Sequence, residues 1–468
     1  MQLRKRSWSA VESLCSTMTR TGLVSKKDDA VIPRVLLTDT NRWPVVPRLA
    51  IALHQLGCRV GVLCSMPGHP VLKTRGVDYV FRYNSCAPIR SLRNAIEDWA
   101  PTITLPCCER GVQHLHALHA QVCREGEKGS RVADLIEHSL GSARSFAVVA
   151  SRWQLLQLAH NEKIPIPDST MLTGAPGMID DSALPGLPCV IKADGSFGGR
   201  GVRIARTCEE VQTYYAELTE RINSLELLKR LILNRDRGWI VCDSRRPRPG
   251  IIAQALIDGR PANCAVYCRD GAVLAAIAVE VICSQGPTGP STVVQVVEGR
   301  EMIEAACRIA RRLSLSGFFG LDFVIDHAKG IPWLIEMNPR STPPCALPLG
   351  SGRDLPAAMC ADLRRELIHE RHPVTTISRI GYFPQTANAE PSALAGAVYH
   401  DVPKDQPDLV AALLDPWSER SLAGQLIDSI RRRLHTLGAE PCIFEGALRT
   451  PAAVIADPTL REGSPAIR

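Results

Sequence analysis

Between Ile191 and Ile204 the chain reads IKADGSFGGRGVRI, a lysine inside an apolar strand-like run, then four glycines within the seven residues from Gly195 to Gly201, then a second apolar run. Glycine pays the largest entropy cost on ordering, so this segment is a loop between two strands rather than the body of an element. A Walker-type phosphate loop is excluded, because Gly-Lys never occurs in the chain. The dinucleotide fingerprint is excluded too, because Ile204 stands where a third glycine is required after Gly199 and Gly201. What remains is Lys192 on a strand, with backbone N–H groups beside it that can fold over an anion. Taken alone, the same stretch reads equally well as a glycine-rich hairpin with a lysine on its edge.

A second pattern lies about 130 residues further on, in GLDFVIDHAKGIPWLIEMNPRSTP. Two strand-like runs flank a turn at Gly330, and Glu336 and Asn338, two apart, share a face. A three-residue loop, Ala328-Lys329-Gly330, pairs His327 with Ile331 and sets Asp322 across from Glu336. Like charges opposed in a sheet repel unless a cation lies between them, and hard oxygen ligands suit Mg²⁺ carrying phosphates. Phe323, Ile325, Trp333 and Ile335 around them read as core.

These motifs sit in a chain of 468 residues, long enough for about three domains, with 45% apolar and 22% charged residues, as in ordinary globular proteins. From Arg34 strand and helix patterns alternate through RVLLTD, VVPRLAIALHQLG, RVGVLC, SLRNAIEDWA, TITLPC and GVQHLHALHAQV, which predicts a parallel α/β layer. The strand ends Thr38 to Asn41 and Glu109-Arg110 fall where such sheets bind ligands. A helical stretch from Arg144 to Glu162 leads into β-rich segments, in which Arg269-Asp270-Gly271 reads as a hairpin turn. The fold class is therefore α/β followed by α+β. Expected boundaries are a disordered leader at 1–33, the α/β layer at 34–143, the motif-bearing domain at 144–350, and a small helical and loop region at 351–468, where residues 421–438 form the last helix. The basic, Ser/Thr-rich leader has an organellar transit segment as its alternative reading.

A net charge of +7 in short basic clusters without interleaved aromatics predicts no nucleic-acid binding, and no apolar run reaches membrane-spanning length. The 17 cysteines contain no C-x-x-C, so free thiols in a reducing cytoplasm are expected rather than a zinc module or a disulfide framework.

In this combination and order the chain resembles the ATP-grasp superfamily of ATP-dependent carboxylate ligases over about residues 34–350. The resemblance implies a pre-ATP-grasp α/β domain followed by an ATP-grasp domain of two α+β subdomains, with the lid subdomain at about 183–257. It implies that Lys192 contacts the α- and β-phosphates of ATP, with Gly195, Ser196, Gly198, Gly199 and Gly201 in the lid. Gln254, Ala255, Leu256 and Ile257 resemble the hinge that reads adenine. Asp322, Glu336 and Asn338 resemble the ligands of Mg²⁺, or of Mn²⁺ in its place, and Arg340 the cation facing the transferred phosphoryl group. Arg152 stands where the family usually has a helix lysine, and Asp258 alone is available as the acid after the hinge. The implied reaction is ADP-forming: a small-molecule carboxylate becomes an acyl phosphate and is joined to an amine; the assembly expected, where there is one, is a homodimer. Alternatives are a non-catalytic nucleotide-binding regulatory protein and a carboxylase-type relative; the latter would need a separate carrier, since no biotin-attachment MKM occurs in the chain.

Overall fold

The computed structural model describes residues 32–65, 68–175, 177–195, 201–219, 249–286, 289–388 and 394–414. Its first sheet holds β1 (Arg34–Asp39), β2 (Arg59–Cys64), β3 (Tyr79–Arg82) and β4 (Ile103–Pro106). They run parallel in the order β3-β2-β1-β4. Both faces are covered, which is why β1 is apolar almost throughout. Leu36 turns toward α2 (Pro88–Trp99), α3 (Glu109–Val122) and α4 (Ser130–Leu140), while Val35 and Leu37 turn toward α1 (Val45–Gln55). Strand β3, half-exposed and four residues long, is the member that the apolar pattern did not predict.

The small sheet is antiparallel, ordered β5-β8-β6-β7, from β5 (Ser169–Leu172), β6 (Cys189–Ala193), β7 (Val202–Ala205) and β8 (Ile251–Ala255). It starts at Ser169, before the expected lid boundary at 183. Period-two alternation sends Cys189, Ile191 and Ala253 into a core under α6 (Cys208–Thr219). The opposite parity, Val190, Lys192 and Gln254, faces a cleft.

The large sheet has seven strands in the order β13-β12-β9-β10-β11-β14-β15. These are β9 (Gly259–Arg269), β10 (Ala272–Ser284), β11 (Ser291–Val297), β12 (Gly317–Asp326), β13 (Pro332–Asn338), β14 (Arg379–Gly381) and β15 (Tyr399–His400). The β9–β10 turn is the expected one: Asp270 and Gly271 both have positive φ, 48° and 82°. One face of the sheet packs on α5 (Arg152–Asn161) and α7 (Arg300–Leu313). The other shares a core with α1 and α8 (Leu355–Arg364), so these helices lie between the parallel layer and the large sheet.

The segment after residue 350 corrects the expectation of helices and loops alone. It contributes α8, α9 (Pro407–Leu414) and the strands β14 and β15, the former pairing with β11. Strands of three and two residues carry too little periodicity to be read from sequence. The helix expected at 421–438 lies outside the described residues.

Candidate active site

The small sheet, the large sheet, α1 and the end of the parallel layer border one cleft with a volume of about 390 Å³. Its chemistry is organised by the β12–β13 hairpin. Asp322 pairs with Glu336 in register, as the sequence predicts, but through a different turn. Asp326 N–H donates to the Ile331 carbonyl (3.1 Å) and Gly330 N–H to that of Asp326 (3.1 Å), so the loop has four residues and His327 does not pair with Ile331. The register shifts between Asp322 and Phe323, where Ile335 of β13 is the extra residue, and this restores the Asp322–Glu336 pairing. The bulge also places Ile335 beside Glu336 on the cleft wall rather than in a core. Trp333 is half-buried as well, donating from Nε1 to Asp326 Oδ2 at 2.9 Å. Phe323 and Ile325 are buried as expected.

The two carboxylates have opposite electrostatic fates. Arg152, at the start of α5, donates from Nη2 to Glu336 Oε1 at 2.6 Å. It is held there by its backbone N–H to Asp194 Oδ1 (3.0 Å) and by a bond from Nη1 to the Ala193 carbonyl. Burial alone would raise the Glu336 carboxyl, but Arg152, Lys192 and Arg340 outweigh it and hold it below the usual range. Asp322 is raised, by burial first and then by Glu336. It accepts from Asn263 Nδ2 (2.6 Å) and Asn338 Nδ2 (2.7 Å) and makes no ion pair among the described residues.

Lys192 reaches this hairpin from the small sheet, donating to Gln254 Oε1 (2.7 Å) and to the Ile335 carbonyl (3.3 Å). Burial pushes its pKa down to about 8, against the pull of Glu336 and Asp322 and with the repulsion of Arg152. Arg340 donates from Nη2 to Asn338 Oδ1 (3.0 Å) and from Nε to Glu109 Oε1 (3.1 Å), with its guanidinium 5.8 Å from the Trp43 ring centroid. Glu109 opens α3 at the end of β4, so the parallel layer reaches the site through the strand-end position that its sequence marks. Its carboxyl is raised by burial, with Arg340 opposing.

Of the hinge residues, Gln254, Ala255, Leu256 and Ile257 all line the cleft. Ala255 N–H already donates to the Asp168 carbonyl (2.8 Å) and Leu256 N–H to that of Pro188 (3.3 Å). Gly195, with φ 69°, precedes the loop, and a Cβ there would lie 3.1 Å from Gln113 Nε2; Gly201 follows it. Ser196, Gly198 and Gly199 lie outside the described residues. Asn263 and Asp194 are the residues that motif reading missed. For Asn263 the available signal is an amide at the head of the otherwise apolar NCAVYC run, and in the structure it pairs with Asp322 across β9 and β12.

Removing one partner of a buried ion pair leaves an uncompensated charge, which costs about 3–5 kcal/mol. Arg152→Met is therefore expected to lower unfolding free energy by about 3 kcal/mol, and the Arg152→Met/Glu336→Gln double variant to recover most of that loss. Urea denaturation of the four proteins measures the coupling, and strictly additive losses would contradict it.

Residues 149–344 match the family model of the ATP-grasp domain. No curated protein matches the sequence. Among solved structures, an N5-carboxyaminoimidazole ribonucleotide synthetase in complex with ADP aligns with TM-score 0.52 at 12% identity, covering 74% of this chain and 81% of that one. An L-amino acid ligase from Bacillus licheniformis aligns with TM-score 0.50 at 15% identity over 75% and 80% of the two chains. A biotin carboxylase from Campylobacter jejuni, complexed with β,γ-ATP, gives 0.50 at 15% over 73% and 72%. At these identities the likeness concerns the fold, and it extends from the matched domain across the preceding parallel layer. Residues 149–344 of this chain are therefore an ATP-grasp domain.

Proposed function

We propose that this protein is an ADP-forming ligase that activates a small-molecule carboxylate with ATP and joins the acyl phosphate to an amine. The observation that carries this reading is the pair of opposed, half-buried carboxylates, Asp322 and Glu336, with Lys192, Arg152 and Arg340 gathered over one cleft. A half-buried carboxyl held only by amide donors, beside a second carboxylate and an amide, is a donor set that fits a hard divalent cation. Asp322, Glu336 and Asn338 would hold Mg²⁺, or Mn²⁺. The ion would supply charge neutralisation on the β- and γ-phosphates.

The protein's own groups do the rest. Val190, Val202, Ile204, Ala255 and Leu256 form an apolar shelf on the small-sheet side of the cleft, suited to a base, and Gln254 to Ile257 edge it. Lys192 and Arg152 meet the phosphates, and Arg340 faces the group in flight, its guanidinium fork steadied by Glu109. An oxygen of the substrate carboxylate attacks the γ-phosphorus as the bond to the β-phosphate oxygen breaks, giving ADP and an acyl phosphate. The amine then attacks the acyl carbon, inorganic phosphate leaves, and the amine proton passes to solvent. The glycine segment around Gly195 to Gly201 would close over the phosphates and exclude water, to which the acyl phosphate is labile. On the far side, Trp43, Tyr382 and Phe383 offer an aromatic wall for the other substrates. A cavity of about 390 Å³ suits small molecules.

One observation favours a second reading, a nucleotide-binding regulatory protein without turnover. Arg152 occupies the Glu336 carboxylate directly, and a divalent ion must share or displace it.

Incubation with ATP, Mg²⁺ and paired panels of carboxylic acids and amines is expected to release ADP and phosphate with an amide detectable by mass spectrometry. Release of AMP and pyrophosphate would overturn the assignment. Nucleotide phosphates favour charged Lys192, whose free-state pKa of about 8 lies below its ordinary 10.5. Affinity for ADP should therefore fall as pH rises through about 8, by at most about tenfold per unit for a single linked proton. In Lys192→Met, binding should be weaker at pH 7 and level across that window. Equal slopes in both proteins, followed by calorimetric titration, would refute the role of Lys192.

A further inference from the structure

Two thiols outside the cleft lining lie almost in contact. Cys58, in the turn between α1 and β2, and Cys360, on α8, are separated by 302 positions in sequence and by 3.1 Å between sulfurs. Both are buried, 3% and 2% exposed. Arg364, one turn along α8, donates from Nη2 to the Leu56 carbonyl at 2.7 Å, which places its charge beside this turn. The neighbourhood distinguishes the two sulfurs. The Cys58 thiol is lowered by its bond with Cys360 and, against burial, by Arg364. The Cys360 thiol is raised by the same bond and by burial. Elsewhere in the core, Cys107, Cys264 and Cys268 are raised by burial.

We propose that Cys58 and Cys360 are a reversible redox modification site, forming a disulfide that joins the α1–β2 turn of the parallel layer to α8 of the large sheet. A disulfide has sulfurs about 2.05 Å apart, so the pair must close by about 1 Å. With a peroxide as oxidant, the Cys58 thiolate attacks one peroxide oxygen, the O–O bond breaks, and a sulfenic acid and one water result. The Cys360 sulfur then attacks the Cys58 sulfur, the S–O bond breaks, and a second water leaves with the Cys360 proton. Two thiols and one peroxide thus become one disulfide and two waters, and a dithiol reductant reverses the change. The bond ties down α1, which carries Val45 and Arg48 of the cleft wall and follows Trp43. Helix α8 is itself fixed to the large sheet, where Asp362 accepts from Tyr267 Oη (2.6 Å) and Arg269 Nε (2.8 Å). This inference stands whether or not the ligase assignment holds.

The test is peptide mapping of the full-length protein after hydrogen peroxide treatment, continued until the exposed Cys86 and Cys123 are oxidised. The expected result is a cross-linked peptide pair carrying Cys58 and Cys360, two hydrogens lighter than the separate peptides and released by dithiothreitol. Cys58→Ser and Cys360→Ser should each lack it. The wild-type map decides the matter without either variant. Recovery of the Cys58 and Cys360 peptides unlinked, or irreversibly oxidised, would overturn the proposal.

Discussion

Two carboxylates facing each other across adjacent strands set the terms for this molecule. Opposed side chains in a sheet stand about 5 Å apart, and two unit charges at that distance repel by about 3 kcal/mol at an effective dielectric of about 20. Burial adds to that cost, so Asp322 and Glu336 require cations, and three separate elements bring them. Arg152 arrives at the start of α5, Lys192 near the end of β6, and Arg340 just beyond β13. The parallel layer joins the network through Glu109, which pins Arg340. The residues that balance the hairpin's charge therefore also fix where the small sheet and the parallel layer meet the large one.

That balance is incomplete in an informative way. Glu336 is well supplied with positive charge and stays ionised, whereas Asp322 has only amide donors and is raised. The unsatisfied position lies beside Asn338, and the proposed divalent ion would sit there. Arginine at position 152 bears on the same question. Its planar fork reaches Glu336 with Nη2 while Nη1 bonds the Ala193 carbonyl, two contacts in different directions from one rigid group. The arrangement ties the entry of α5 to both sheets, so Arg152 serves the fold as well as any phosphate.

Much of this was legible in the sequence, because strand alternation fixes which residues share a face wherever one face is buried. Asp322, Glu336 and Asn338 were placed together by parity, and the family resemblance added Lys192 and Gln254. The exact turn was not legible. A four-residue loop in place of three would have slipped Glu336 out of register, and the bulge at Ile335 compensates for it. Bulges leave little trace in sequence, since they depend on how both strands settle against their neighbours. The paired short strands β14 and β15 escaped for a different reason: Ile380 is buried by docking on β11, not by any local pattern. Asn263 and Asp194 were not singled out as functional candidates because most of their importance comes from what lies opposite them. Tyr382 and Phe383 on the cleft wall likewise depend on the path of the chain beyond the matched domain.

The central claim is that Asp322 and Glu336 share one divalent ion with a bound nucleotide. It is tested most directly by titrating Mn²⁺ into the ADP-saturated protein and following the ion by its paramagnetic resonance. The account predicts that Asp322→Asn, which keeps the shape and removes the charge, lowers Mn²⁺ affinity by about tenfold or more, equivalent to about 1.4 kcal/mol. Metal-free binding of ADP should be unchanged in the same variant. Equal Mn²⁺ affinity in the wild type and Asp322→Asn would contradict the claim.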